Sequence, residues 1–328
     1  MIYLETNSND PKYNLSFEEY AFNEISNIED VFILWINKPC IVVGKNQNTM
    51  IEVNSEFCLE NNIDIVRRVS GGGAVYHDLN NLNYTIITTD KSKGEFNFKD
   101  FSIPVIKALE SIGIKATFTG RNDLEIDGRK FCGNAQHIKG NKIMHHGCIM
   151  FDVDTSVLEK ALNVSKEKIE SKGVKSVKAR VTNIKEHLSN DITIFDFKDI
   201  IKKYMFEEYG LKDYCLKEEE KDEILKLKNN KHSSWEWVYG HNPECTLSRK
   251  KRLNYGEIEA KILLNGQKIE NIKFYGDFFG VKDIDELSNK LFKTNYDKNS
   301  IYNILKDVKI EEYILGVTMD DLLDIIIE

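Results

Sequence analysis

Three short segments carry residues whose types and spacing suit acyl activation. The first is Arg67-Arg68-Val69-Ser70-Gly71-Gly72-Gly73-Ala74-Val75-Tyr76-His77-Asp78, the second Gly128-Arg129-Lys130-Phe131-Cys132-Gly133-Asn134-Ala135, and the third His145-His146-Gly147. A triple glycine lets backbone amides come close to an anion while the guanidinium groups of Arg67 and Arg68 neutralise it. Lys130, at the mouth of a second glycine-containing turn, adds a point charge where a phosphate meets a carboxylate. Taken together, the segments outline a site for an activated acyl group.

Each residue also has a plainer reading. Triple glycine is often just a tight strand connection, and no Gly-Lys-Ser/Thr follows it to make a nucleotide P-loop. The flanking arginines and Tyr76-His77-Asp78 favour an anion or ligand loop over mere flexibility. A lone lysine in a strand is ordinarily solvated. Asn122 and Asp123 offer oxygen of the kind that holds Mg²⁺, and both are also turn formers. His145 and His146, as strand neighbours, point to opposite faces and cannot chelate one ion together, so one of them is expected to line the pocket. His77 reads equally as a satisfied structural histidine or as an acid or base. Cys132 and Cys148 lie near the motifs and could be nucleophilic thiols, although buried free cysteine is usually inert. The segment Lys172-Gly173 followed by residues 176–183 is basic and contains glycine, as suits a loop folding over a nucleotide.

These groups need a scaffold. At 328 residues, the chain calls for one large and one small domain, divided here as 1–245 and 246–328. A hydrophobic content of 41% and a charged content of 30% are ordinary for a soluble globular protein. No stretch reaches the roughly 18 apolar residues of a membrane helix, and the opening Met-Ile-Tyr-Leu-Glu-Thr lacks the pattern of a secretory signal, so a cytoplasmic location is expected. Six scattered cysteines without a C-x-x-C pair read as reduced thiols. A net charge of -8 argues against nucleic acid as a partner.

The spacing Ser16-Phe17-Glu18-Glu19 predicts a capping box at the start of a first helix. Strands are expected at 31–36, 40–43, 63–67, 74–77, 83–88, 124–126, 129–135 and 142–151, many joined by Gly, Asn or Asp turns that favour antiparallel pairing. Helices follow at 101–112, 156–162 and 197–206, and a charge-rich helix over 217–232 reads as a solvated connector. Trp235-Glu236-Trp237 closes the large domain. Beyond it, a hairpin about Asn265-Gly266 and helices at 284–291, 300–306 and 319–327, the last capped by Thr318, make a small C-terminal unit. The fold class is therefore α+β, with a mixed or antiparallel sheet in the large domain.

The chain resembles the lipoate-protein ligases, relatives of the biotin-protein ligases, over nearly its whole length. The resemblance is carried by residues 67–78, by Gly120-Arg121-Asn122-Asp123, by Lys130 with Gly133-Asn134-Ala135, by His146-Gly147 and by residues 176–183. It implies a biotin-lipoate-ligase-type sheet with a small accessory domain, and a reaction in which lipoate and MgATP give lipoyl-AMP before the acyl group passes to a lysine of a lipoyl domain. The implied catalytic residue is Lys130. Arg68, Ser70, Gly71, Gly72, Gly73, Val75, Tyr76, His77, Asn83, Gly133, Ala135, His146 and Gly147 would bind lipoate or its adenylate. Arg68, Asn122, Lys130, Ser176, Val177, Arg180, Val181 and Thr182 would bind ATP, with Asp123 on the Mg²⁺. Expected partners are lipoate or octanoate and the lipoyl domains of 2-oxoacid dehydrogenase E2 subunits or the glycine cleavage H protein. Neither nucleic acid nor membrane is expected, and the enzyme should be a monomer. Cys132, where many relatives have serine, keeps a thioester mechanism in view; the alternatives are a cysteine-dependent octanoyl or lipoyl transferase needing no ATP and, separately, a non-catalytic lipoyl-domain binder.

Overall fold

The computed structural model describes residues 1–89, 96–163, 180–240 and 244–327. Its strands run β1 (Ile2–Glu5), β2 (Val31–Ile36), β3 (Cys40–Val43), β4 (Asp64–Arg67), β5 (Val75–His77), β6 (Asn81–Thr88), β7 (Thr117–Thr119), β8 (Asp123–Ile126), β9 (Arg129–Lys139), β10 (Lys142–Met150), β11 (Lys212–Asp213), β12 (Leu247–Leu253), β13 (Gly256–Asn265) and β14 (Lys268–Gly276). Eight of them form a sheet in the order β11-β1-β2-β6-β10-β9-β8-β7. The β1 strand pairs parallel with β2 and β11, and the other pairs in this sheet are antiparallel, so the sheet is mixed as expected. A second sheet, β4-β3-β5, carries the glycine loop between β4 and β5.

Two-residue periodicity explains why the large sheet is covered on both faces. In β2, Val31, Ile33 and Trp35 pack with the first helix, whereas Phe32, Leu34 and Ile36 pack under the helices Phe98–Glu110 and Ile194–Tyr209. All six residues are buried, so β2 reads as a continuous apolar run and not as an alternation.

The first helix spans Pro11–Asn23, starting six residues earlier than the capping-box reading placed it. Asp10 is the true cap, accepting from the Lys12 amide, and Pro11 at the first helical position has no amide to satisfy. Ser16 instead lies inside the helix with its hydroxyl donating back to the Lys12 carbonyl (2.7 Å), which frees Glu18 and Glu19 for other tasks. The charge-rich segment is likewise more than a solvated connector. Its helix, Glu218–Leu227, buries Ile224 against the first helix, and Lys231 and His232 beyond it hold Glu19 at 2.7 and 2.8 Å. Burial alone would raise the Glu19 pKa, but these two partners pull it down to about 2.

Residues 247–327 fold around a core of their own, in which Ile258, Ile262, Phe274, Leu287, Leu322 and Ile326 are buried. The expected hairpin is present, with Gly266 at φ +60° in its turn, and Thr318 caps the last helix by accepting from the Asp321 amide. The basic run Arg249-Lys250-Lys251-Arg252 is strand β12, where Lys250 pairs with Glu257 and Lys251 with Asp324.

Candidate functional site

One register row crosses four neighbouring strands and part of a fifth: Trp35 on β2 faces Asn83 on β6, Asn83 faces Cys148 on β10, Cys148 faces Gly133 on β9, and Gly133 faces Asp123 on β8. Residues directly opposite share a face, so all five border one cavity of about 310 Å³. With strands ~4.8 Å apart, the row from Trp35 to Gly133 is ~14 Å long. The cavity is at the small end of the ~300–1,000 Å³ expected for a small-molecule site.

Lys130 reaches this face through a β-bulge. The β8–β9 register slips so that Leu124 pairs with Cys132 but Glu125 pairs with Lys130, leaving Phe131 as the extra residue. Phe131 and Cys132 consequently both enter the core beneath the sheet, and Lys130 emerges on the face of Gly133. Without the slip, Lys130 would share the face of Cys132 and point into that core. Its ammonium lies 2.7 Å from Asp123 Oδ1. Burial pulls the lysine pKa down, but the charge of Asp123 and the hydrogen bond to it outweigh that and hold it above the ordinary lysine value. An alanine Cβ at position 133 would lie 2.9 Å from Lys130 Nζ and 3.1 Å from its Cε, so the bare backbone of Gly133 makes the bed for this side chain.

Of the two arginines, only Arg68 borders the cavity. It donates to Ser70 Oγ and to the carbonyls of Val42, Gly71 and Gly73, so it braces the glycine loop from within; burial lowers its pKa to about 10. Arg67, expected to share the neutralising role, points the other way. It is buried and donates to the carbonyls of Gly44, Lys45, Gln47, Trp237 and Val238 and to Thr49 Oγ1, locking the loop after β3 to the helix Trp235–Tyr239. The loop amides also differ from the anion cradle expected. Gly72 N donates to Phe278 O (3.4 Å), and Gly71 is pressed against the same carbonyl.

The other expected residues divide cleanly. Gly72, Gly73, Val75, His77, Asn83, Asn122, Asp123, Ala135, His146 and Gly147 border the cavity with Arg68, Lys130 and Gly133. Tyr76 does not: between Val75 and His77 on β5 it faces the opposite side, in the cluster of Ile41, Val43 and Val53. Ser70 and Gly71 lie behind the wall. The Ser70 hydroxyl is 2.7 Å from His146 Nε2, and His146 Nδ1 is 2.8 Å from Glu18, which also accepts from Thr85; a chain of hydrogen bonds thus ties the loop to the first helix. His145 stacks on Phe101 on the far face, so it is His146 that borders the cavity, as the alternation required. Ser176 and Val177 lie outside the described residues. Val181 bridges Lys130, and the Thr182 amide donates to the Lys130 carbonyl (2.9 Å), bringing the Arg180-Val181-Thr182 stretch against the backbone of Lys130.

Trp35, Leu15, Val42, Arg121, Asn134, Leu162 and Asp277 also border the cavity and were not picked out from the sequence as site residues. Trp35 was hidden within an apolar run; the two-sided burial of that run was the available signal. Arg121 donates to the carbonyls of Tyr255 and Asp277 and lies 4.8 Å over the Phe279 ring, so residues of the C-terminal unit complete one wall. Cys132 is fully buried on the core side, where burial drives its thiol pKa well up; this removes it as a nucleophile. Among the described residues, no group of three or more His, Cys, Asp or Glu side chains is arranged to hold a metal ion, and no helix is long and apolar enough to cross a membrane.

A mixed sheet with a glycine loop, a cavity-facing lysine and a small C-terminal unit defines a class of acyl-activating enzyme, and the chain belongs to the lipoate-protein ligase family. Residues 10–206 match the lipoyl protein ligase A/B catalytic domain, and residues 242–326 match the bacterial lipoate protein ligase C-terminus. The chain is 40% identical to the lipoate-protein ligase LplJ of Bacillus subtilis (strain 168), covering 99% of this chain and 100% of that one. It is 41% identical to lipoate-protein ligase 1 of Staphylococcus aureus, covering 97% of each. A crystal structure of P. falciparum LipL1 with lipoate superimposes with a TM-score of 0.82 at 25% identity, covering 98% of this chain and 97% of that one.

Proposed function

We propose that this protein joins lipoate to a lysine of a lipoyl-domain protein in two steps, ATP-dependent formation of lipoyl-AMP with release of pyrophosphate and then transfer of the lipoyl group to the acceptor amine with release of AMP. The observation that carries this reading is the cation at position 130, kept charged by Asp123 and turned into the cavity by the bulge. A carboxylate is already nucleophilic, so the first step needs cancellation of its repulsion with the phosphates and alignment for attack, not a base. Lys130 supplies the charge. Its carbonyl holds the Arg180-Val181-Thr182 stretch, which binds the nucleotide. In the second step the same ammonium holds the acyl carbonyl and the phosphate oxygens while the neutral acceptor amine attacks.

The row from Gly133 to Trp35 is the binding track for the acid, its carboxylate at Lys130 and its tail toward Trp35, with Arg68, Val75, Asn83, Ala135, His146 and Gly147 along it. Asp123, whose carboxylate borders the cavity and also pairs with Lys130, is the residue that would hold a Mg²⁺ ion. The ion would neutralise phosphate charge there. Residues 1–245 form the catalytic domain and residues 246–328 the accessory domain, acting as a cytoplasmic monomer on E2 lipoyl domains or the H protein.

The test is mass spectrometry of a purified lipoyl domain after incubation with enzyme, lipoate and MgATP, beside a control without ATP. An acyl adduct that needs ATP is expected. An adduct formed equally without ATP from a thioester donor would point to the cysteine-dependent transferase, for which Cys148 is the thiol at the cavity wall.

A further inference from the structure

One buried hydroxyl has no task in the reaction above. A second register row lies one residue along from the first and on the opposite face: Tyr84 on β6 faces Gly147 on β10, and Gly147 faces Asn134 on β9. Tyr84 and Asn134 stand two strand spacings apart, ~9.6 Å, and an ordinary side chain between them would keep them separate. Gly147 supplies none: a Cβ there would lie 2.3 Å from Asn134 Oδ1 and 2.4 Å from Tyr84 Cε1. The tyrosine hydroxyl therefore reaches across β10 and lies 2.5 Å from Asn134 Oδ1.

The neighbours fix the direction of each bond. Asn134 Nδ2 lies 3.1 Å from the Asn122 carbonyl. A carbonyl only accepts, so this atom is the amide nitrogen, and Oδ1 accepts the hydrogen of Tyr84. With its one hydrogen spent there, the Tyr84 oxygen accepts from His145 Nε2, 3.2 Å away. Burial raises the Tyr84 pKa well above the ordinary value, so the hydroxyl keeps its hydrogen at working pH. The bonds thus run in one sense, from His145 to Tyr84 to Asn134 to the Asn122 carbonyl, and bonds chained in this way polarise one another. The same carbonyl accepts from the Asn134 amide (2.9 Å), and Asn122 Nδ2 donates to the Asn134 carbonyl. The chain therefore ends on a residue that borders the cavity and whose neighbour, Asp123, pairs with Lys130.

We propose that Tyr84 is a positioning residue for adenylation, its hydroxyl acting through the Asn134 side chain to hold Asn122 and Asp123 where the Lys130 ammonium meets the nucleotide. The proposal rests on the ligase reading of the cavity. A buried tyrosine needs a partner wherever it lies. This one gains a part in the chemistry from where its chain ends. Without the hydroxyl, Asn134 Oδ1 loses its donor, the amide can turn away from the Asn122 carbonyl, and Asn122-Asp123 has room to shift. A displacement of Asp123 carries the ammonium with it, and aligned reacting groups tolerate little displacement.

Single-turnover formation of lipoyl-AMP by the full chain, with lipoate and MgATP saturating, tests this in Tyr84→Phe, Asn134→Ala and the double variant. Tyr84→Phe keeps the ring and loses only the hydroxyl. Its rate constant should fall about tenfold, while the lipoyl-AMP formed per enzyme and the KM for lipoate stay near wild type. Asn134→Ala should fall at least as far, and the double variant no further, because the hydroxyl acts only through Asn134. A Tyr84→Phe rate constant within about twofold of wild type overturns the proposal, as do losses that multiply in the double variant. A loss carried by the amplitude alone, which is what a merely structural tyrosine would give, overturns it too. Should Tyr84→Phe not fold, Asn134→Ala decides, and a rate constant there within about twofold of wild type overturns the proposal. If the wild type forms no lipoyl-AMP, the ligase reading itself fails; an active wild type with an unchanged Tyr84→Phe sinks this inference alone.

Discussion

Replacing Gly133 with alanine separates the position of the Lys130 cation from its mere presence. The new Cβ would lie 2.9 Å from Lys130 Nζ and 3.1 Å from Cε. Ordinary non-bonded separation is about 3.6 Å, so the ammonium has to retreat by ~0.7 Å. It can do so, because it is the free end of a flexible chain, and extended β9 accepts alanine without backbone strain. Folding stability should therefore change by no more than about 0.5 kcal/mol. Catalysis should not be so tolerant: a misplacement approaching 1 Å at an aligned group costs up to about 10²-fold, so pyrophosphate release with lipoate should fall roughly 10- to 100-fold. Lys130→Ala alone should lose about 10² to 10³, as when one preorganised donor is removed. The double variant should lose no more than Lys130→Ala, since the Gly133 effect acts only through the lysine. Single-turnover adenylation of the four proteins completes the cycle. A Gly133→Ala enzyme within twofold of wild type, or a double variant whose losses multiply, would refute the claim that Gly133 seats the catalytic cation.

Three further outcomes follow from the same contacts. Asp123→Asn removes the charge that outweighs burial at Lys130, so the lysine pKa falls and the alkaline limb of the pH–rate profile should move to lower pH; an unmoved limb would assign that limb to another group. Cys132→Ser should keep ATP-dependent adenylation within about threefold, because this thiol faces the core, and a loss beyond about 10³ would bring back a thioester route. Glu19→Gln should cost about 2–3 kcal/mol at pH 7 by urea unfolding: the folded pKa is depressed to about 2, so the stabilisation is present above the unfolded carboxylate pKa and fades as pH falls through about 2, where the two proteins should converge.

Much of the scaffold could be read from the sequence because two-sided burial and glycine turns leave strong local marks. The runs 31–36 and 40–43 coincide with β2 and β3, and the Asn265-Gly266 hairpin and the final helix stand where their patterns put them. What escaped depends on register. Nothing in Arg129-Lys130-Phe131-Cys132 announces a bulge, yet the slip decides whether Lys130 faces ligand or core. Arg67 and Arg68 look equivalent as a pair, but at the end of a strand they point to opposite sides, one into a cage of carbonyls and one to the cavity wall. Glu18 was masked by a plausible cap, although Asp10-Pro11 is the stronger start signal, and only the fold reveals that it holds His146.

The triple glycine shows how one motif can satisfy two constraints. An alanine Cβ at Gly71 would lie 2.3 Å from the Phe278 carbonyl, and one at Gly72, where φ is +93°, would meet Arg68 at 2.9 Å and the Phe279 ring at 3.1 Å. Here glycine is required because a second backbone and a guanidinium both approach within side-chain distance, which is a stricter demand than access for an anion. The Phe278 carbonyl occupies the Gly72 amide, while Arg68 holds the Gly71 and Gly73 carbonyls from the inner side. The loop is therefore clasped between the C-terminal unit and the arginine that borders the cavity. Gly71→Ala should for that reason loosen the contact at Phe278 first and disturb Arg68 only as a consequence, an order opposite to the one a simple anion cradle would give.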